Sequence, residues 1–183
     1  MFHQRFFMAL FLAACLPGTS LFAAASSTDD KQQLTIFLRQ AFGPDIPKTQ
    51  RLWLSEQQRK ELQKQLQRPF RHRSLRYWGN ANHSVWLLNE IGKERPITTA
   101  VEIKNGVVHR VRVLAYRESR GGEVQADWFL QQFAGMQTDD LAGIHRQIDT
   151  ISGATLSVNA LKKQVATALL AASWINNSPA SDN

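Results

Sequence analysis

Apolar and polar residues recur with two different periods along this chain, and the change of period divides it. Gln32 to Phe42 places Leu34, Ile36, Phe37, Leu38, Ala41 and Phe42 at helical spacing, and Gly43-Pro44 ends the run. Pro47 holds the next stretch extended. Leu52-Trp53-Leu54 reads as a short strand or as a hydrophobic staple. Ser55 followed by Gln58 is a capping-box pattern. It predicts a helix to about Gln67, with Leu62 and Leu66 on one face and Pro69 beyond its end.

From Arg73 the period shortens to two. Leu75, Tyr77 and Gly79 alternate with polar neighbours, and Val85-Trp86-Leu87-Leu88 and Ile97 to Ile103 are further strand-like runs. Asn105-Gly106 is a hairpin signal, because both residues tolerate positive φ. Val107 to Tyr116 returns as a strand whose one face is only partly apolar. These runs predict an antiparallel sheet of about four strands. Gly121-Gly122 marks a loop, and Asp127 to Phe133 a short helix packing through Trp128, Phe129 and Phe133. Leu156 to Trp174 is the longest helical pattern, with Val158, Leu161, Val165, Leu169 and Ala172 along one side. The expected fold class is α+β: an antiparallel sheet with packed helices, preceded by a helical N-terminal segment.

The first residues read differently. Arg5 precedes an apolar run, Phe6 to Leu16, too short and broken for a typical spanning helix. Pro17-Gly18 interrupts it, and Ala23-Ala24-Ala25 fits a small-x-small cleavage site. Residues 1–25 are thus expected to be a signal peptide, with the mature chain periplasmic or otherwise extracytoplasmic. A competing reading takes Leu12-Ala13-Ala14-Cys15 as a lipobox, with Cys15 lipid-anchored; Leu16-Pro17 does not favour it. Residues 26–74 form the helical N-terminal segment, opened by a flexible lead-in over Ser26 to Lys31. Residues 75–175 form the main domain, and 176–183 a small, polar, disordered tail.

Composition narrows the chemistry. Cys15 is the single cysteine among 183 residues, which excludes a disulfide framework and a zinc–thiolate site. Hydrophobic content of 43% is enough for an unaided core. The net charge of +7 suits an anionic lipid surface or an acidic partner, and export argues against nucleic acid. Arg59 to Arg76 is a basic run, read first as a solvated helix face and linker and second as a docking patch. His72, His83, His109 and His145 show no metal-like spacing.

One stretch carries candidate chemistry: Asp149-Thr150-Ile151-Ser152-Gly153-Ala154-Thr155-Leu156-Ser157, immediately before the long helix. A helix N-terminus offers unpaired N–H groups and a partial positive charge, which suits a phosphate. Taken alone, these hydroxyls are ordinary helix caps. Upstream, Tyr116-Arg117-Glu118-Ser119-Arg120-Gly121-Gly122 is followed by Trp128-Phe129-Leu130-Gln131-Gln132-Phe133-Ala134-Gly135.

Together these stretches resemble the bacterial FMN-binding domain family, over roughly Ile97 to Ala172. That family has an Asp-x-x-Ser/Thr-Gly-Ala-Thr motif, with FMN attached through its phosphate to the final threonine. The resemblance implies that Thr155 is the FMN acceptor. Gly153 would let the backbone approach the phosphate, and Ser152, Ala154 and Leu156 would offer N–H groups to it. Asp149 would help a separate flavin transferase, which uses FAD and a divalent metal and releases AMP. Ser157 is the less favoured hydroxyl, because the motif ends at Thr155. Glu118 and Ser119 would face the flavin from the strand end. Trp128 and Phe129 are candidates to flank it, though aromatics in a short helix are more often core. Arg120 reads as solvent-facing, with flavin or phosphate contact as its second reading.

The implied function is electron transfer outside the cytoplasmic membrane from a membrane-bound redox partner, with possible peripheral membrane contact. Two other classes stay open: a flavin-dependent reductase of a small extracytoplasmic acceptor, and a partner-binding module that carries no flavin.

Overall fold

A computed structural model describes residues 21–177 of the chain. Most of the expected signal peptide and of the polar tail therefore lies outside the described residues. Five strands form one antiparallel sheet in the order of the chain: β1 (Thr49–Trp53), β2 (Ser74–Gly79), β3 (His83–Ile91), β4 (Pro96–Lys104) and β5 (Val107–Ala115). The sequence predicts about four. The fifth is β1, where strand and staple were both open; it pairs along its whole length with β2, from Thr49↔Trp78 to Trp53↔Ser74. The β4–β5 hairpin turns on Asn105 and Gly106, at φ 51° and 78°. Two successive positive φ values match the right-handed twist of the flanking strands.

Helices cover both faces of the sheet. α5 (Thr155–Asn177) packs on one face through Val158, Leu161, Val165 and Leu169, against Trp86, Ile97, Val101 and Val111. These four helix side chains are at most 1% exposed, and each contributes about 2 kcal/mol by leaving water. α1 (Leu21–Phe42) packs on the other face, with Phe37 and Leu38 against Trp78, Val85, Ala100 and Leu114. Burial from both sides explains why β4 is an almost unbroken buried run, rather than an alternating one.

α1 departs from the expected lead-in. Ser26 to Lys31 is helical, continuous with the predicted helix that follows it. No Gly or Pro interrupts Leu21 to Phe42, and Asp30 pairs with Arg117 at the C-terminal end of β5. That ion pair fixes the N-terminal half of α1 to the sheet. α2 (Glu56–Leu66) opens with the predicted capping box, Ser55 Oγ accepting the Gln58 N–H and Gln58 Oε1 accepting the Ser55 N–H. Its Leu62 and Leu66 join the core beneath α5. The stretch after β5 is a chain of short turns, including α3 (Asp127–Leu130), a following 3-10 turn to Phe133, and α4 (Ile144–Gln147).

Candidate functional site

Three segments meet at one end of the sheet. They are the turn joining β3 to β4, the loop after β5, and the first turn of α5. Between them lies a groove of about 520 Å³, lined by Lys93, Glu94, Glu118, Ser119, Arg120 and residues 153–157. That volume is in the range of small-molecule sites.

The start of α5 is built by a tight turn. The Ala154 N–H donates to Ile151 O at 2.9 Å, and Gly153 sits third in that turn with φ +78°. A Cβ at Gly153 would meet no other group, so the left-handed backbone alone calls for glycine. Val158 N–H then donates to Ala154 O, so the helix opens at Thr155. The N–H groups of Thr155, Leu156 and Ser157 are the ones a first helical turn leaves without intrahelical partners. Of the three donors predicted, Leu156 belongs to this set. The N–H of Ala154 is committed to the turn, and Ser152 lies exposed outside the groove lining.

The two hydroxyls of this turn differ in their surroundings. Thr155 is exposed and lines the groove. Ser157 is 4% exposed, and its hydroxyl is 2.9 Å from Tyr116 Oη. Tyr116 gives its own proton to Arg120 O, which can only accept, so Ser157 is the donor between the two. Gly121 closes this junction. A Cβ there would lie 3.0 Å from both Ala154 Cβ and Tyr116 Oη. Tyr116 thus ties the loop after β5 to α5.

Glu118 does something other than present a free carboxylate. Its Oε1 accepts the N–H groups of Lys93, Glu94 and Arg95 at 2.5, 2.8 and 3.0 Å. The N–H groups of Arg95, Glu94 and Lys93 hold the carboxyl below its ordinary value, against a smaller opposing effect of desolvation. Gly92 makes room: a Cβ would sit 2.7 Å from that same oxygen. Glu118 therefore shapes the groove wall by gathering the β3–β4 turn. Ser119 and Arg120 are exposed beside it.

Asp149 lies just outside the groove lining. It is exposed, and its N–H donates to Gln132 Oε1 at 2.8 Å. Beneath it Lys162, 2% exposed, donates from Nζ to Ile148 O at 3.0 Å. Burial pushes the Lys162 ammonium down, and Asp149 pulls it back up. Lys162 stands four residues from Val158 and three from Val165, so a cation inside an apolar stripe was the available signal for a buried partner. Phe129 is fully buried core, whereas Trp128 is 59% exposed and lines no part of the groove. Among the described residues no group of three His, Cys, Asp or Glu side chains could hold a metal ion.

Residues 92–170 match the family described as FMN-binding domain. The chain carries an FMN-binding domain. The matched range begins at Gly92, beneath the Glu118 carboxylate, and runs through the first four turns of α5, so it encloses the whole groove. No match was found among curated proteins or among solved structures. The FMN-binding domain supports FMN as the cofactor and a flavin-binding role. The groove fits that cofactor on its own chemistry. It combines first-turn N–H groups, the Lys93 and Arg120 cations for a phosphate, and an accessible hydroxyl.

Proposed function

We propose that this protein is an extracytoplasmic electron carrier whose FMN is joined through its phosphate to Thr155. The observation that carries the reading is the contrast between two hydroxyls on one helical turn. Thr155 opens into the groove, while Ser157 is buried and bonded to Tyr116. A transferase must reach the acceptor, and of these two hydroxyls Thr155 is the accessible one.

In the attachment step Thr155 Oγ bonds to the phosphorus of the FMN half of FAD. The pyrophosphate bond breaks, AMP leaves, and the hydroxyl proton is released. The new diester would carry negative charge next to the N–H groups of Thr155, Leu156 and Ser157, which favour it. Lys93 and Arg120 add cations at the groove wall. Asp149, fixed through its N–H by Gln132, would present a carboxylate to the flavin transferase. Once bound, FMN supplies one- and two-electron redox chemistry, and the protein holds it and tunes its surroundings. A covalent bond suits a compartment from which free nucleotide is lost. The signal-peptide pattern before Ser26 supports that location, with lipid anchoring at Cys15 as the alternative route. Electrons would come from a membrane-bound redox partner.

The test is the intact mass of the chain co-expressed with a flavin transferase. The expected gain is one FMN less one water, retained in Ser157→Ala and absent in Thr155→Ala. A chain that gains nothing, under conditions that load another FMN-binding domain, overturns the reading. A partner-binding role without flavin would then account better for the groove.

A further inference from the structure

We propose that the groove end of the sheet is a docking surface for an anionic phospholipid bilayer. Among the described residues five large apolar side chains are exposed, and three of them sit at this end. Trp53 ends β1 and is 69% exposed; Ile91 ends β3 and is 52% exposed; Leu156 stands in the first turn of α5, also at 52%. The register places the first two at the same end of the sheet. Trp53 pairs with Ser74 at the start of β2, and Ile91 with Pro96 at the start of β4.

Cations stand between them. Arg73 precedes β2, Arg95 closes the β3–β4 turn, and Arg120 follows β5; all three are exposed. None has a carboxylate partner among the described salt bridges. The nearby Glu118 spends its oxygen on three backbone N–H groups. The result is a basic rim holding separate apolar side chains that belong to three elements.

The occupant follows from this spread and from the chain. A second copy would bring like charges together. An interface of fixed shape would want the apolar groups gathered in one pocket. A bilayer surface needs neither: aromatic and aliphatic tips enter the headgroup layer singly, while arginines meet lipid phosphates. The N-terminal half of α1 also reaches this end, where Asp30 is paired to Arg117. Among the described residues no helix is long and apolar enough to cross a membrane. Docking in this pose carries the groove mouth to the membrane surface. The surface does not depend on whether Thr155 bears a flavin.

The experiment is co-sedimentation of the full chain with vesicles of phosphatidylcholine, with and without phosphatidylglycerol, at low and high salt. Both the unaltered chain and Thr155→Ala are used, so that failure of flavin attachment leaves the result readable. Binding should require phosphatidylglycerol and weaken with salt. It should fall about fivefold for each of Arg73→Gln and Arg95→Gln, and fall again in Trp53→Ser with Ile91→Ser. Arg39→Gln with Lys48→Gln, at the opposite end of the sheet, should leave it unchanged. Circular dichroism confirms folding of each variant. Binding indifferent to the groove-end variants would assign it to the upstream segment and overturn the proposal. Equal loss in the opposite-end variant, or retention by an acidic protein surface but not by vesicles, would do the same.

Discussion

The Ser157 hydroxyl donates to Tyr116 Oη across 2.9 Å and so locks the loop after β5 onto the first turn of α5. The phenol passes its own proton to Arg120 O, which makes a short relay from helix to loop. Tyr116→Phe removes both bonds and leaves a buried serine hydroxyl without its partner. The cost should be about 1–3 kcal/mol in thermal or urea unfolding. Ser157→Ala deletes the donor together with its need, so it should cost less. Flavin loading, followed by intact mass over time, should slow in Tyr116→Phe and stay near the unaltered rate in Ser157→Ala. Equal slowing in both would mean that the Ser157–Tyr116 bond, lost in each, governs loading, and that the Tyr116–Arg120 bond adds nothing.

Gly92 and Glu118 make a second dependent pair. The Cβ of Gly92→Ala would stand 2.7 Å from Glu118 Oε1 and 3.0 Å from Ile97 Cδ1. The carboxylate must withdraw from three N–H groups to admit it. We expect a loss of about 1–3 kcal/mol, typical of overpacking at a site that cannot yield. Glu118→Ala reaches the same turn from the other side. Amide hydrogen exchange should lose protection at Lys93, Glu94 and Arg95 while the interiors of β3 and β4 keep theirs. Unchanged protection at those three amides would show that the carboxylate does not hold the turn.

These pairs mark how far the sequence could be read. Asn105-Gly106, Ser55 with Gln58, and the stripe of α5 were legible because their chemistry is local, within four residues or one helical face. Thr155 was singled out by resemblance to a motif, and the structure shows it exposed in the groove lining. Glu118 was expected to face the flavin; the structure puts it in the groove lining, and its partners are backbone groups 23 to 25 positions earlier. Tyr116 and Ser157 lie 41 positions apart, and Asp30 and Arg117 lie 87 apart. No periodicity reports such contacts, which is why residues 26–31 read as a loose polar lead-in although they continue α1. β1 stayed open between strand and staple because only Leu52 of its five residues turns inward.

Two buried glutamates should respond to pH with opposite signs. Glu102, 1% exposed, meets His83 at 2.9 Å, Lys104 at 3.2 Å and Arg110 at 3.0 Å. Burial pushes its carboxyl up, but these three partners together hold it below the ordinary 4.5. A depressed carboxyl lends stability that is present above pH 4.5 and is lost as pH falls through the folded-state value. Glu90, 7% exposed, has one close partner, Arg68 at 2.6 Å, and there burial prevails and raises the carboxyl. Its contribution is present below pH 4.5 and fades as pH rises through the raised value. Urea midpoints should be measured across the acid and neutral range for the unaltered chain, Glu102→Gln and Glu90→Gln. The deficit of Glu102→Gln should widen as pH climbs to and past 4.5. It should settle near the lower end of about 3–5 kcal/mol, because its partners Lys104 and Arg110 keep some access to water. Glu90→Gln should instead gain on the unaltered chain as pH rises beyond 4.5, since it escapes the cost of a buried charge while Gln still accepts from Arg68. Parallel curves for the two variants would mean that neither carboxylate is coupled to folding in the way its surroundings dictate.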